Sequence, residues 1–403
     1  MTHLPDSRYS WFRLAASLAL ATTGGIGLWA GIVALPFIQT EFAVDRAGAS
    51  FPYTMTMIGF AFGGILMGRL SDRFGIMVPL MLGAVCLCAG FWAAALSPNY
   101  WMFVAANAVL IGLLGSAATF GPLVADVSLW FQKKRGIAVA IGASGNYLAG
   151  MLWSPLLTHA IQLFGWRHAF MVIGTACVVI MLPLALTLRT RASLVERPSP
   201  NAVANGNTDG SPLLQGLLVL AGLACCVAMS MPQVHLIAYC QDLGYGPAAG
   251  ANMLSLLLGC GVASRLASGF LADKIGGVGT LIIGSSLQCV ALLLYIPFNG
   301  LTSLYLVSAL FGLSQGGIVP SYALIVRDHF PAKQAGFRIS LVLTATVLGM
   351  ALGGWLSGVI FDATGSYQLA FLHGVAWNIL NMAIAFYLLL KRMRPQTPRF
   401  APA

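Results

Sequence analysis

Arg265 is the residue with the most chemical content. It stands in Gly261-Val262-Ala263-Ser264-Arg265-Leu266, inside the apolar run 247–270. A cation near the middle of a membrane-spanning helix costs about 2.5–3.5 kcal/mol on insertion scales, so it must face a bundle interior or a wet cavity. Its planar guanidinium matches a carboxylate in a way that an ammonium cannot. The chemistry on offer is therefore anion binding. Two alternatives stand beside it: a permanent ion pair with another helix, and snorkelling, since Gly269 and the end of the run follow closely.

Two further titratable groups fall in apolar runs. His235 lies in Ser230-Met231-Pro232-Gln233-Val234-His235, where Pro232 can kink the helix and free a backbone carbonyl. An imidazole there could titrate near physiological pH and carry a coupling proton; the alternative is a neutral, hydrogen-bonded histidine near the helix end. Asp126 could hold a proton or neutralise a cation, although its closeness to Lys133 favours a structural pair at the helix end. His159, His168 and His373 are expected in loop or interface roles.

What must position these groups is a membrane-embedded helical bundle. Of 403 residues, 58% are hydrophobic and only 8% charged, against roughly 25% charged in soluble domains. Apolar runs bounded by charges or turn residues predict twelve spans: 12–38, 49–69, 76–96, 100–127, 137–160, 167–188, 213–239, 247–270, 278–297, 301–326, 338–360 and 367–390. The first span is read as retained, because no small-residue cleavage site follows a short apolar core. Lys and Arg crowd the face shared by the two termini, while only Arg46 and Arg167 fall on the other; both termini are therefore expected in the cytoplasm. The net charge of +10 is spread over these short loops and does not suggest nucleic acid. A small, polar stretch, SPNAVANGNTDGSP, divides the chain into a six-helix bundle at 1–188, a linker at 189–212, and a second six-helix bundle with a short tail at 213–403.

The two halves repeat one another. Gly68-Arg69-Leu70-Ser71-Asp72-Arg73-Phe74-Gly75 follows the second span, and Gly269-Phe270-Leu271-Ala272-Asp273-Lys274-Ile275-Gly276 follows the eighth. Phe131–Gly136 and Phe330–Gly336 form a second pair; Gly165-Trp166-Arg167-His168-Ala169-Phe170 and Gly365-Ser366-Tyr367-Gln368-Leu369-Ala370-Phe371 form a third. Duplicated six-helix halves suit a carrier whose site lies between two bundles that rock around it. An aspartate at a helix end can accept from the facing helix's first amides or from a cation, so Asp72, Arg73, Arg135, Asp273 and Lys274 are candidate gating residues; plain topological charge is the alternative.

The repeated G-x-L-x-D-R/K-x-G loop resembles the signature of the major facilitator superfamily, over roughly 14–390. Trp130-Phe131, Arg135-Gly136, Ala138, Ala143-Ser144-Gly145, Gly150 and Gly165-Trp166-Arg167 resemble its monocarboxylate-porter and oxalate/formate-antiporter branch, as do Ser264-Arg265 ahead of Ser268-Gly269 and Asp273. The resemblance implies an all-α fold of twelve transmembrane helices in two pseudo-twofold-related bundles, with Arg265 binding substrate carboxylate. It also implies a cavity walled by helices one, four, seven and ten, which favours Trp29, Thr119, Gln315 and Tyr322, with His235, Asn146 and Tyr147 as further lining. Many relatives carry an aspartate where this chain has Gly261, so the expected proton carriers are His235 and, in reserve, Asp126. The drug-antiporter G-x-x-x-G-P element is absent, since Met151 follows Gly150, and helix eleven lacks the lysine of the oxalate branch.

These readings converge on a proton-coupled carrier of a small monocarboxylate, lactate- or pyruvate-like, in the cell membrane. An antiporter for oxalate/formate-like or other dicarboxylate anions is the second reading, and a transporter-derived sensor a distant third. The expected partners are the anion, a proton and the lipid bilayer, with no obligate protein partner. No nucleotide-binding G-x-x-x-x-G-K-S/T and no catalytic cluster is present. The eight cysteines form no CxxC and adjoin no histidine at ligand spacing, so neither metal nor cofactor is expected.

Overall fold

The computed structural model describes residues 6–190 and 212–393, save the side chains of 332–333 and 391–393. Among them, eleven helices are long and apolar enough to cross a membrane. They are α1 (Arg8–Glu41), α2 (Arg46–Phe74), α3 (Met77–Ala95), α4 (Tyr100–Trp130), α5 (Arg135–Phe164), α6 (Trp166–Thr187), α7 (Pro212–Asp242), one continuous helix Gly246–Leu294, α10 (Leu301–His329), α11 (Ala332–Thr364) and α12 (Gln368–Met393). The 49-residue Gly246–Leu294 would measure about 74 Å as a straight helix, more than twice the hydrocarbon thickness. It breaks at Gly276, whose φ of 77° lies outside the helical region, and so supplies two spans, α8 (246–275) and α9 (277–294). The expected twelve crossings are thus present, two of them joined end to end. Most of the expected linker, 191–211, lies outside the described residues.

The repeat seen in the sequence has a backbone cause. Gly75 and Gly276 close the paired signature loops with φ of 84° and 77°, and Gly165 and Gly365 close α5 and α11 with φ of 77° and 67°. A side chain at these positions would meet its own carbonyl, so glycine is what lets the chain leave one helix and enter the next.

The halves meet along two seams. On one, α2 lies against α11: Thr54 Oγ1 donates to the Ala351 carbonyl at 2.9 Å, and Gly354 gives room for the Tyr53 ring. On the other, α5 lies against α8: Ser255 Oγ donates to the Met151 carbonyl at 2.6 Å, and Leu258 packs where a side chain on Gly150 would stand. The α2–α11 seam is tight at the face away from the termini, where a Cβ on Gly358 would stand 2.8 Å from Ala47 Cα. Towards the terminal face the halves part, and a Cβ on Gly64, Gly68, Gly269 or Gly336 would meet nothing within 4 Å.

Candidate functional site

Arg265 sits at the terminal-side end of the α5–α8 seam. Its Nη1 donates to the Ala143 carbonyl of the opposite half at 2.7 Å, and its Nε lies 3.5 Å from the Gly316 carbonyl. The guanidinium carbon lies 4.2 Å from the centre of the Tyr147 ring, a cation–π arrangement that also crosses the seam. Both carbonyls come from helix breaks. α5 is interrupted after Ala143, between Arg135–Ala143 and Gly145–Phe164. α10 is interrupted between Leu301–Gln315 and Ile318–His329. Gly316 makes this close approach possible, since a Cβ there would stand 2.4 Å from the Arg265 amide nitrogen. Among the described residues, no carboxylate pairs with Arg265; the ion pairs there are Arg13–Asp126, Arg46–Asp242 and Arg167–Glu41.

Several expected residues gather around this arginine. Tyr147 and Gln315 both reach Gly261, where a Cβ would be 3.2 Å from the Gln315 amide nitrogen and 3.2 Å from the Tyr147 ring. Gln315 Oε1 accepts from Gln233 Nε2 at 2.6 Å, while Gln315 Nε2 is buried without a hydrogen-bond partner. Trp29 Nε1 donates to the Asn146 carbonyl at 3.0 Å and approaches its Oδ1 at 3.2 Å, and its ring packs where a side chain on Gly150 would stand. Tyr53 also has a buried hydroxyl without a hydrogen-bond partner.

Four expectations need correction. His235 does not join Arg265. Its Nε2 donates to the Gly354 carbonyl at 2.7 Å, and its Nδ1 is 3.0 Å from the Tyr367 hydroxyl. It stands two positions beyond Gln233, about 200° around a helix, so Gln233 faces α10 while His235 faces α11 and Tyr367, just before α12. Asp126, the reserve proton carrier, accepts from Arg13 Nε and Nη2, each at 2.9 Å. Arg13 is 1% exposed, donates also to the Leu188 carbonyl and lies over the Trp130 ring. This is a fixed structural pair. Tyr322 is wholly buried and donates to Asn381 Oδ1 at 2.7 Å, inside the second half. Thr119 donates to the Ser116 carbonyl and packs against Gly24 of α1; both serve packing.

Asp72, Arg73, Asp273 and Lys274 are exposed on the terminal face. Among the described residues, no hydrogen bond or ion pair joins Asp72 or Asp273 to the opposite half. Arg73 lies over its neighbour Phe74, and Arg135 reaches Ser128 of its own half. The amides just before α5 are held instead by Asp6, whose carboxylate accepts from Gln132, Lys133 and Lys134 at 3.0–3.3 Å. Slight burial would raise the Asp6 carboxyl's pKa, but these amides and the Lys133 charge outweigh it and hold the pKa below its ordinary value.

Two repeated helical halves, two seams and an arginine at the join define a membrane carrier. The Major Facilitator Superfamily profile matches residues 17–303 and, overlapping it, 218–403. The chain belongs to that superfamily, a family of transporters rather than enzymes. It is 25% identical over 392 residues to Monocarboxylate transporter 13 of Rattus norvegicus, spanning 95% of this chain and 90% of that protein. It is 26% identical to the Bos taurus protein of the same name, over 94% and 89% of the two chains. The fold matches a POT family transporter solved with 5-aminolevulinic acid, with a TM-score of 0.74 at 12% identity over 94% of this chain and 96% of that one.

Proposed function

We propose that the protein carries a small monocarboxylate across the cell membrane by alternating access, with a proton, and that its terminal face is cytoplasmic. The observation that carries this reading is Arg265: a guanidinium at the join of the halves, held by carbonyls and a ring, and paired with no carboxylate among the described residues. A substrate carboxylate supplies the missing charge. The unpartnered Gln315 Nε2 and Tyr53 hydroxyl are donors for further substrate oxygens. The monocarboxylate name of the mammalian relatives supports the same substrate class. The parted terminal face and the closed opposite face correspond to an inward-facing state.

Charge accounting supports the proton. An anion moving inward alone works against the membrane potential at about 2.3 kcal/mol per charge per 100 mV, and one accompanying proton removes that cost. Labelled lactate or pyruvate uptake into proteoliposomes under an imposed pH gradient tests the reading, and accumulation of the labelled acid is expected. Exchange of one anion for another is the second reading, favoured by Gly261, which leaves no carboxylate beside Arg265 to hold a proton. Counterflow without gradient-driven accumulation in the native protein decides for exchange. Neither uptake nor exchange of any monocarboxylate overturns both.

A further inference from the structure

On the outer face, the second half grips the first helix turn of α2. A helix begins with four amide groups that have no partner within the helix. In α2, two of these belong to the opposite half: Arg46 N donates to Asp362 Oδ1 at 2.8 Å, and Ala47 N to Asp362 Oδ2 at 2.7 Å. Asp45, the residue just before α2, takes the Gly48 amide at 2.7 Å. The Arg46 side chain turns the same way. Its Nη2 lies 2.9 and 3.0 Å from the two carboxylate oxygens of Asp242, at the end of α7. Its guanidinium lies over the rings of Phe361 and Tyr367, at 4.7 and 5.8 Å. Tyr367 is in turn fixed by His235, whose other ring nitrogen is tied to Gly354. Gly358 has no side chain to hold the helices apart, and a Cβ there would stand 2.8 Å from Ala47 Cα.

We propose that Asp362 and Asp242 of the second half, gripping the amino end of α2 through the Arg46 and Ala47 amides and the Arg46 side chain, form the clamp that closes the outer face, with Tyr367 and His235 positioning it. The inference rests on the alternating-access reading for one extension. α2 and α11 run antiparallel, and each bears an aspartate near its carboxyl end, Asp72 and Asp362. Two stiff rods that rock about their crossing cannot close both ends together.

The test uses the full-length protein in nanodiscs, with spin-label pairs at Pro98 and Pro297 on the outer face and at Arg69 and Arg327 on the inner face. Asp362→Asn keeps the shape but exchanges one acceptor oxygen for a donor. Asp242→Asn removes the charge opposite Arg46. Each is expected to raise the fraction of molecules with the outer pair apart on the order of tenfold, with the inner pair drawing together. In Asp242→Arg the outer pair should open further, and the combined Arg46→Asp and Asp242→Arg protein should return towards the native ratio, as loss of mere packing would not. An unchanged outer distance in both Asn variants overturns the clamp. So does equal lengthening of both pairs, which would mean that the halves have simply loosened. An outer pair that opens while the inner pair stays still supports the clamp as the outer closure and overturns the rocking motion instead.

Discussion

Arg13 and Arg265 are both arginines drawn into a membrane bundle, and they are satisfied in opposite ways. Arg13 has a carboxylate on two of its nitrogens, a carbonyl on one of them and an indole beneath it. Arg265 has two carbonyls from broken helices and a tyrosine ring. Carbonyls offset part of the cost of desolvating a guanidinium, but they bring no negative charge. The first arginine ties α1 to α4 within one half. The second spans the join between halves, and among the described residues no carboxylate pairs with it. A cation drawn into a bundle is therefore read by what faces it; here Arg13 is buried and Arg265 half-buried.

That contrast can be broken from either side. The largest effect should follow from Asp126→Ala, which leaves Arg13 buried and unpaired. A loss of about 3–5 kcal/mol is expected, measured as detergent-solubilised thermal or denaturant unfolding. The double variant Arg13→Met with Asp126→Leu should recover most of it; failure to recover would mean that the pair does more than neutralise itself. Arg265→Lys should leave unfolding nearly native while weakening substrate binding by about 10- to 100-fold, because an ammonium cannot reproduce the fork. Comparable loss of fold and binding would place Arg265 with Arg13 as a structural cation.

Gly261→Asp makes Arg265 more like Arg13 by putting a carboxylate one helical turn away. The new Cβ is tight against Gln315 and Tyr147. Anion affinity should fall on the order of tenfold, as read by titration calorimetry, and the remaining transport should depend more steeply on pH. The smallest effect concerns Asp6. Its folded-state carboxyl pKa is depressed, so its hold on the Gln132–Lys134 amides is complete above the ordinary carboxylate pKa near 4 and is lost as pH falls through the lower, folded value. Protection of those amides against hydrogen exchange should fall as the pH drops below about 4, and Asp6→Asn should lower it at neutral pH.

The sequence made Arg265 visible because one charge in an apolar run has no other reading than interior or snorkel. It made the twelve spans visible for the same reason, and the repeat visible through glycines that the backbone needs. It could not show that Asp126 belongs to Arg13, a residue more than a hundred positions away, nor that His235 answers to Tyr367 rather than to Arg265. Arg46 and Arg167 read as the two exceptions in a charge tally, yet each is paired across the fold, with Asp242 and Glu41. Charges at span ends look alike in a sequence, whether they lie in solvent or hold two halves together. Only the crossing of α2 and α11 distinguishes Asp362 from an ordinary loop residue.

α4 is not wound uniformly. Ala106–Gly115 is a π-helix, followed by a 3-10 turn at Ser116–Thr119 before α-helix resumes at Gly121–Trp130. Such a wide stretch accommodates residues that a regular α-helix of the same rise would not. It therefore sets the azimuth of everything that follows it, as a vernier sets a dial. Deleting one residue within it would turn the remaining part of α4 by about 100°. Asp126 would swing away from Arg13, and Thr119 would leave its seat against Gly24. The ion pair that ties α1 to α4 thus depends on the winding of a segment that contains neither of its charges.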